Sequence, residues 1–369
     1  MGVFYFLFVV LFLSAILLNR SRGWGIFLVF LMGFICAFRG INVGTDTINY
    51  YMNNFRGEFS FGNVSSSSLI SMEFGFQLIS GFITQVGLSP RWCIYILAII
   101  TYTFLSMSAI RFNKILGTNV IVFVLLYFIM GYYGLAFNIA RQMAATSILL
   151  YGYSYLIQDD NRKGLFFVFL FLASSLHISS LLYLVVYFFK YVNLNRINYK
   201  IIFTSSLVML FIIQLFKGSL IGWIISKFSV LAFYSHYMEQ TEEAAVSILG
   251  FVCKFFQLLL SLYVYHKLSG CTNRHFLNIY LASIFIDILF GALYGDIYRI
   301  NIGFSVIQII AYATYLSEFV YDCSLSPKLK FRITDETAFF ILMIMVYGYG
   351  TLSSLAGGTY DVVPYYMTF

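Results

Sequence analysis

Charge is scarce in this sequence. Asp, Glu, Lys and Arg make up 10% of its 369 residues, against about 25% in soluble domains. So little polar surface cannot cover a water-soluble globule. Proline is nearly missing too, with three residues in all, which leaves room for long unbroken helices. The five cysteines (Cys36, Cys93, Cys253, Cys271 and Cys323) form no CxxC pair and no metal-ligand spacing, so they read as buried or lone thiols. P-loop, GxGxxG, HExxH and external DxD motifs are all missing. The nearest acidic pair, in "QDDNRK" at 158–163, lies beside basic residues. These absences point to a site that works without metal or cofactor.

Apolar residues, by contrast, are 61% of the chain, and the mean hydropathy is +0.87. They come in continuous runs rather than in the alternating short strands of a membrane β-barrel. The reading is an all-α, polytopic helical membrane protein, one integral domain over residues 1–369, with about 11 or 12 transmembrane helices. The runs fall at 3–18, 24–38, 92–110, 119–135, 138–157, 164–176, 178–190, 200–216, 246–266, 276–292, 299–320 and 336–353. The pair 164–176 and 178–190 reads either as two short helices broken near "SSLHISS" or as one long tilted helix. The charge distribution favours two. The first segment lacks a basic leader region and a small-residue cleavage pattern, so it reads as a retained helix.

The net charge of +7 marks loops on one membrane side rather than nucleic-acid binding. If the first helix enters from outside, the inner loops are 19–23, 111–118, 158–163, 190–200, 267–275 and 321–335. Most of the 22 basic residues lie there, as the positive-inside rule requires. Two external loops, 39–91 and 217–245, are longer than a connection needs, and both contain apolar stretches that suit interfacial or re-entrant helices. No internal repeat is visible.

Polar residues gather at the external ends of the spans. Arg39 and Asp46 follow the second span, in "RGINVGTDTINYY" at 39–51. Asn138, Arg141 and Gln142 open the fifth, spaced i, i+3, i+4 so that they flank one helix face. His177 sits at the break in "SSLHISS", and Asp296, Tyr298 and Arg299 lie in "LYGDIYRINIG". Charges within a bilayer face a cavity or one another, so a shared side implies one aqueous pocket at the outer leaflet. Three arginines from distant segments (Arg39, Arg141 and Arg299) suit a diphosphate, because guanidinium is planar and always charged. Their alternative is snorkelling, or structural pairing with Asp46, Glu73 or Asp296. His177, Asp46 and Glu73 are rival general bases. The alternative for His177 is packing, for Asp46 a turn, and for Glu73 a cap on the helix that follows it.

"FRGINVGTDTINYY" (38–51), "MEFGFQLIS" (72–80), "NIARQMAA" (138–145), "SSLHISSLLYL" (174–184), "YRINIG" (298–303) and "VVPYYMTF" (362–369) together resemble the EpsG family. These are Wzy-like polymerases of bacterial exopolysaccharide, capsule and O-antigen synthesis. The resemblance implies transfer of a glycan from polyprenyl diphosphate to a sugar hydroxyl of a lipid-linked repeat unit. Undecaprenyl diphosphate would leave. It implies a multi-pass protein of the bacterial cytoplasmic (inner) membrane with its site facing out. Its partners would be undecaprenyl-diphosphate-linked oligosaccharide, membrane lipid, a flippase and a chain-length regulator. The arginines would neutralise the leaving diphosphate. Asn138, Gln142, Tyr50, Tyr298 and Asp296 would contact sugar, and apolar grooves would hold the lipid tails. The long hydrophilic external loop of the wider Wzy group is not evident.

Three other functions use many of the same residues. A lipid-linked oligosaccharide flippase would line a path open to both sides, whereas the charges here cluster on one. A ligase would move the glycan to a different acceptor with nearly the same chemistry. A non-catalytic assembly subunit would tolerate loss of Arg141.

Overall fold

An apolar run in lipid folds as a helix because only a helix satisfies its backbone within one segment. The computed structural model describes residues 1–18, 21–47, 73–158, 163–189, 191, 198–212, 248–270, 273–291, 298–325, 334–358, 365 and 367. Helix dominates these residues, and no strand occurs among them. The all-α membrane architecture expected from composition is observed. Pro90 stands immediately before a helix start, where a missing N–H is harmless.

The chain divides into two compact units. The first, Met1–Leu181 with Tyr312–Phe369, contains α1 (Gly2–Leu17), α2 (Arg22–Ala37), α3 (Phe74–Gln85), α4 (Arg91–Leu116), α5 (Val120–Ile129), α6 (Tyr132–Asn138), α7 (Ala140–Ile157) and α8 (Gly164–Leu176). Helix α7 packs against α4 and α8, α4 against α2, and α1 and α2 against α5. Every residue of α5 is buried, as expected for a segment apolar all round. In α7 every residue is buried except Arg141 and Tyr151. The outer helices show the opposite face: Phe171 is 69% exposed and Ile99 63%. Such surface belongs against lipid.

The second unit, Leu182–Ala311, holds the end of a 3-10 turn (Ile178–Leu184), α9 (Val185–Phe189), α10 (Tyr199–Ile212), α11 (Ile248–Leu268), α12 (Arg274–Gly291) and the start of α13 (Tyr298–Leu325). Here α12 packs on α9 and α11. Two stretches of the expected family pattern interlock in this unit. The Tyr183 hydroxyl donates to Ile300 O at 3.0 Å and accepts from Gly303 N at 3.1 Å. Its ring lies directly against Gly303, where any Cβ would collide with it. The remaining helices, α14 (Asp335–Met343) and α15 (Tyr349–Ala356), join through a π-turn at Ile344–Gly348 in the first unit.

Most expected spans coincide with helices, but several differ in detail. Arg91–Leu116, Arg299–Ser317 and Asp335–Ala356 are long and apolar enough to cross a membrane, and α5 with α6 would make a fourth. Gly2–Leu17, Arg22–Ala37, Gly164–Leu176, Ile178–Phe189 and Tyr199–Ile212 are shorter apolar helices. The expected span 119–135 is bent by 58° between α5 and α6, where Gly131 has φ 86°. Span 138–157 begins only at Ala140, because Ile139 leaves the helix with φ −130° and ψ 51°. Much of the expected inner loop 111–118 is instead the last turn of α4. The break at "SSLHISS" is present: α8 ends at Leu176, and His177 is extended with φ −154°. External loop 39–91 does contain a short helix, α3. Residues 48–72 of that loop and all of 217–245 lie outside the described residues.

Gly303→Ala tests the interlock. It should destabilise the protein by about 1–3 kcal/mol, the usual consequence of overpacking a filled site. The readout is the thermal midpoint of purified protein in detergent, and an unchanged midpoint would remove Tyr183–Gly303 as a structural joint.

Candidate active site

The site grows from the break at Ile139. A helix interrupted inside an apolar bundle exposes backbone N–H and C=O groups that must find partners. The segment after α2 supplies them. Asp46 Oδ2 accepts from Ala140 N at 2.8 Å, placing a carboxylate on the first N–H of α7. Capping and the helix dipole both favour a negative group there. In return, Thr45 N donates to Asn138 Oδ1 at 3.3 Å. Gly44 makes this approach possible: its φ is +82°, and a Cβ would strike the Phe137 carbonyl.

Arg39 secures the same turn from inside. It is only 2% exposed. Its Nε donates to Thr47 Oγ1 at 2.7 Å, and its Nη1 to Ala136 O at 3.2 Å and Cys36 Sγ at 3.3 Å. The guanidinium also lies 5.2 Å from the centroid of the Phe137 ring. Arg91 Nη2 donates to the Arg39 carbonyl at 3.3 Å. Met367 forms an antiparallel bridge with Arg39, and Tyr365 OH donates to Ile35 O at 2.6 Å. Arg39, expected with the diphosphate, thus turns its charge into the protein.

The next residue of α7 after Ala140, Arg141, faces a different environment. Glu73 Oε2 receives Arg141 Nη1 at 2.8 Å, and Phe76 lies under the guanidinium at 4.9 Å. Glu73 Oε1 meets His177 Nδ1 at 3.1 Å and accepts from Ile178 N at 3.2 Å. One carboxylate therefore joins the start of α7 to the break after α8. Glu73 stands at the N-cap position of α3, yet its side chain makes no cap hydrogen bond there. The alternative of a simple cap is corrected: Arg141, His177 and the Ile178 amide take the carboxylate instead. Burial raises the Glu73 carboxyl, but the His177 hydrogen bond and the charges of Arg141 and His177 outweigh it and hold it down at about 2. The Arg141 and His177 side chains remain 26% and 22% exposed. A partly wetted guanidinium beside a partly wetted imidazole can bind an anion and take a proton from a neighbouring hydroxyl.

The other expected site residues fall as follows. Gln142 is buried. Asn138 ends α6 rather than sharing a helix with Arg141, so the expected i, i+3, i+4 face is corrected: the backbone breaks between them. Arg299 is exposed in the first turn of α13, in the second unit, and Tyr298 opens that helix. Tyr50 and Asp296 lie outside the described residues. Sequence reasoning missed Arg91, whose Nη2 donates to the Arg39 carbonyl. It also missed Asp287 in α12, which accepts from the Asn301 side-chain amide and from Gln308 Nε2 at 3.3 Å. The signal for Asp287 was present: a lone carboxylate inside the apolar run 276–292.

A helical membrane protein with a half-buried carboxylate joining arginine and histidine is the class that fold and site define. The chain belongs to the EpsG family, whose sequence profile matches residues 23–367. It is accordingly a membrane protein of polysaccharide synthesis. No curated protein and no solved structure matches it.

Two outcomes are expected. Asp46→Ala should lose about 1–2 kcal/mol of stability as a missing helix cap, while Asp46→Asn, itself a good cap, should stay close to wild type. Equal large losses in both, read as thermal midpoints, would mean that the negative charge rather than the cap is needed. For Glu73 the sign follows from its lowered value. The carboxyl drops from an ordinary 4.5 to about 2, so its stabilisation is complete above 4.5 and is lost as pH falls toward 2. The midpoint difference between wild type and Glu73→Gln should be flat from neutral pH down to about 4.5 and shrink from there toward about 2. A difference that vanishes already at neutral pH would contradict the pairing.

Proposed function

We propose that this protein is a polysaccharide polymerase of the bacterial inner membrane, with its site at the outer face. The donor is a glycan chain on polyprenyl diphosphate, and the acceptor is a sugar hydroxyl of a lipid-linked repeat unit. The acceptor oxygen forms the new bond to the anomeric carbon. The bond from that carbon to the diphosphate breaks, and its electron pair leaves on the phosphate oxygen. The acceptor proton passes to a base, and undecaprenyl diphosphate departs. Membership of the EpsG family supports this reading, and the observation that carries it is the Glu73 carboxylate bridging Arg141 and His177.

Roles follow from chemistry. Arg141 meets the diphosphate, whose charge grows as the glycosidic bond breaks. Arg39 supports from behind through its hold on Ala136 and Thr47. His177, Asp46 and Glu73 are the candidate bases. Asn138, at the end of α6, contacts sugar. The exposed apolar faces receive the polyprenyl tails. A flippase that delivers repeat units and a protein that limits chain length are the natural partners. The positions of charged groups at helix breaks, rather than along a path, favour chemistry over transport.

The test uses purified full-length protein and lipid-linked repeat units, assayed for a ladder of products. Wild type should give the ladder without added metal. Arg141→Ala should lower the rate by about 10²-fold or more, the usual loss on removing a preorganised charge donor. Arg141→Lys should also be impaired, because a point charge does not replace a planar fork. A full ladder from Arg141→Ala at wild-type rate would sink the proposal.

A further inference from the structure

Three groups share one carboxylate, and that arrangement restricts what each can do. Glu73 Oε1 faces both His177 Nδ1 and the Ile178 amide. The amide can only donate. An ionised carboxylate can only accept, and against its burial the His177 hydrogen bond and the charges of Arg141 and His177 hold Glu73 ionised at neutral pH. The Nδ1 atom must therefore carry a hydrogen, and in the neutral ring the lone pair is left on Nε2. Among the described residues nothing hydrogen-bonds Nε2, and the His177 side chain is 22% exposed. Among the described residues, the charged groups linked to the ring are Glu73, from the entry to α3, and, through the other oxygen of Glu73, Arg141 of α7. Asp46 is engaged at Ala140 N.

We propose that Glu73 is the positioning residue of the site: it fixes the His177 tautomer so that Nε2 is the general base, and with its other oxygen it sets the Arg141 fork beside that base. This rests on the polymerase reading for its substrate and deepens it by choosing among three rival bases. Glu73 itself is a poor base at neutral pH, because a carboxyl held at about 2 has little pull on a hydroxyl proton. Asp46 already accepts the first N–H of α7. In the step itself the acceptor O–H proton moves to Nε2, and the oxygen pair bonds the anomeric carbon. The electron pair of the old bond leaves on the diphosphate beside Arg141. The imidazolium that forms is balanced by the Glu73 charge and returns its proton to water. A carboxylate that orients and balances an imidazole in this way recurs in unrelated enzymes, where removing its charge while keeping its shape costs up to about 10⁴-fold in rate through the wrong tautomer.

The test combines a spectroscopic signature with kinetics on the full-length protein in nanodiscs. Histidine is labelled with ¹⁵N, and the His177 signal, one of four histidines, is assigned by its loss in His177→Asn. Wild type should show Nδ1 protonated and Nε2 bare in the neutral ring. In Glu73→Gln that preference should be lost, and kcat on lipid-linked repeat units should fall by about 10²–10⁴-fold, with KM for the acceptor within about threefold. A wild-type ring protonated on Nε2, or a Glu73→Gln rate within about threefold of wild type, overturns the proposal. Should Glu73→Gln fail to fold, the wild-type tautomer alone decides. If wild type makes no polymer yet shows the Nδ1–H tautomer, the polymerase reading fails while the Glu73 lock stands.

Discussion

A helix interrupted within an apolar bundle is stable only if another segment takes over the backbone groups that the interruption frees, and the first unit depends on this at Ile139. Asp46 accepts from Ala140 N just after the break, and Asn138, just before it, accepts from Thr45 N. Arg39 takes the Ala136 carbonyl just before it. Buried unsatisfied groups would each cost about 1–3 kcal/mol, so the break persists because three side chains converge on it. The polar stretch after α2 is thereby explained first as architecture. Its charges stand at a membrane helix end because another helix ends there too.

That architecture has a consequence for Arg141. Were α6 and α7 one straight helix, residue 141 would sit in the middle of a span, deep among packed side chains. The break puts it in the first turn of α7, the helix in which it and Tyr151 alone escape burial. The same logic applies on the other side of Glu73. His177 is extended between α8 and a 3-10 turn, which frees both its side chain and the Ile178 amide to turn toward the carboxylate. Two interrupted helices, each with loose backbone ends, are joined by one acidic group. The partial positive charge of the α7 N-terminus and the guanidinium both favour an anion in that region. Asp46 and Glu73 occupy the two favourable positions and leave Arg141 partly wet.

Which parts of this were legible in the sequence depends on whether the signal was local. Helix class and most span positions follow from apolar runs and from the near absence of proline. The break at His177 was readable because four serines flank the histidine. The break at Ile139 was not, since "GLAFNIARQMAA" has neither proline nor glycine at the interruption, and the groups that stabilise it, from Arg39, Thr45 and Asp46, lie about ninety residues earlier in the chain. Asn138, Arg141 and Gln142 looked like one face for that reason. Arg39 illustrates the same limit. Its residue type and its place at a membrane edge suggest an exposed clamp, yet nothing in "FRGINVG" indicates that Thr47, Cys36 and Ala136 will enclose it. Glu73 was visible as a candidate but not as a bridge, because its partners come from positions 141 and 177.

Asp287 in the second unit, half-buried, shows a different set of partners for a carboxylate. Its carboxylate meets the amides of Asn301 and Gln308, and Gln308 in turn reaches Ser261. Neutral donors lower the charge density without adding a second ion to desolvate, which suits a scaffold that must stay closed. At Glu73 the partners are instead an arginine and a histidine, both partly wetted. An ion pair there is the more consequential choice. In the proposed reaction Arg141 can turn to phosphate without leaving a charge alone, because His177 can still balance Glu73 once it takes a proton. The two carboxylates thus divide by environment. One is tied to amides within a closed polar network, and the other to groups whose charge can be redistributed during a reaction.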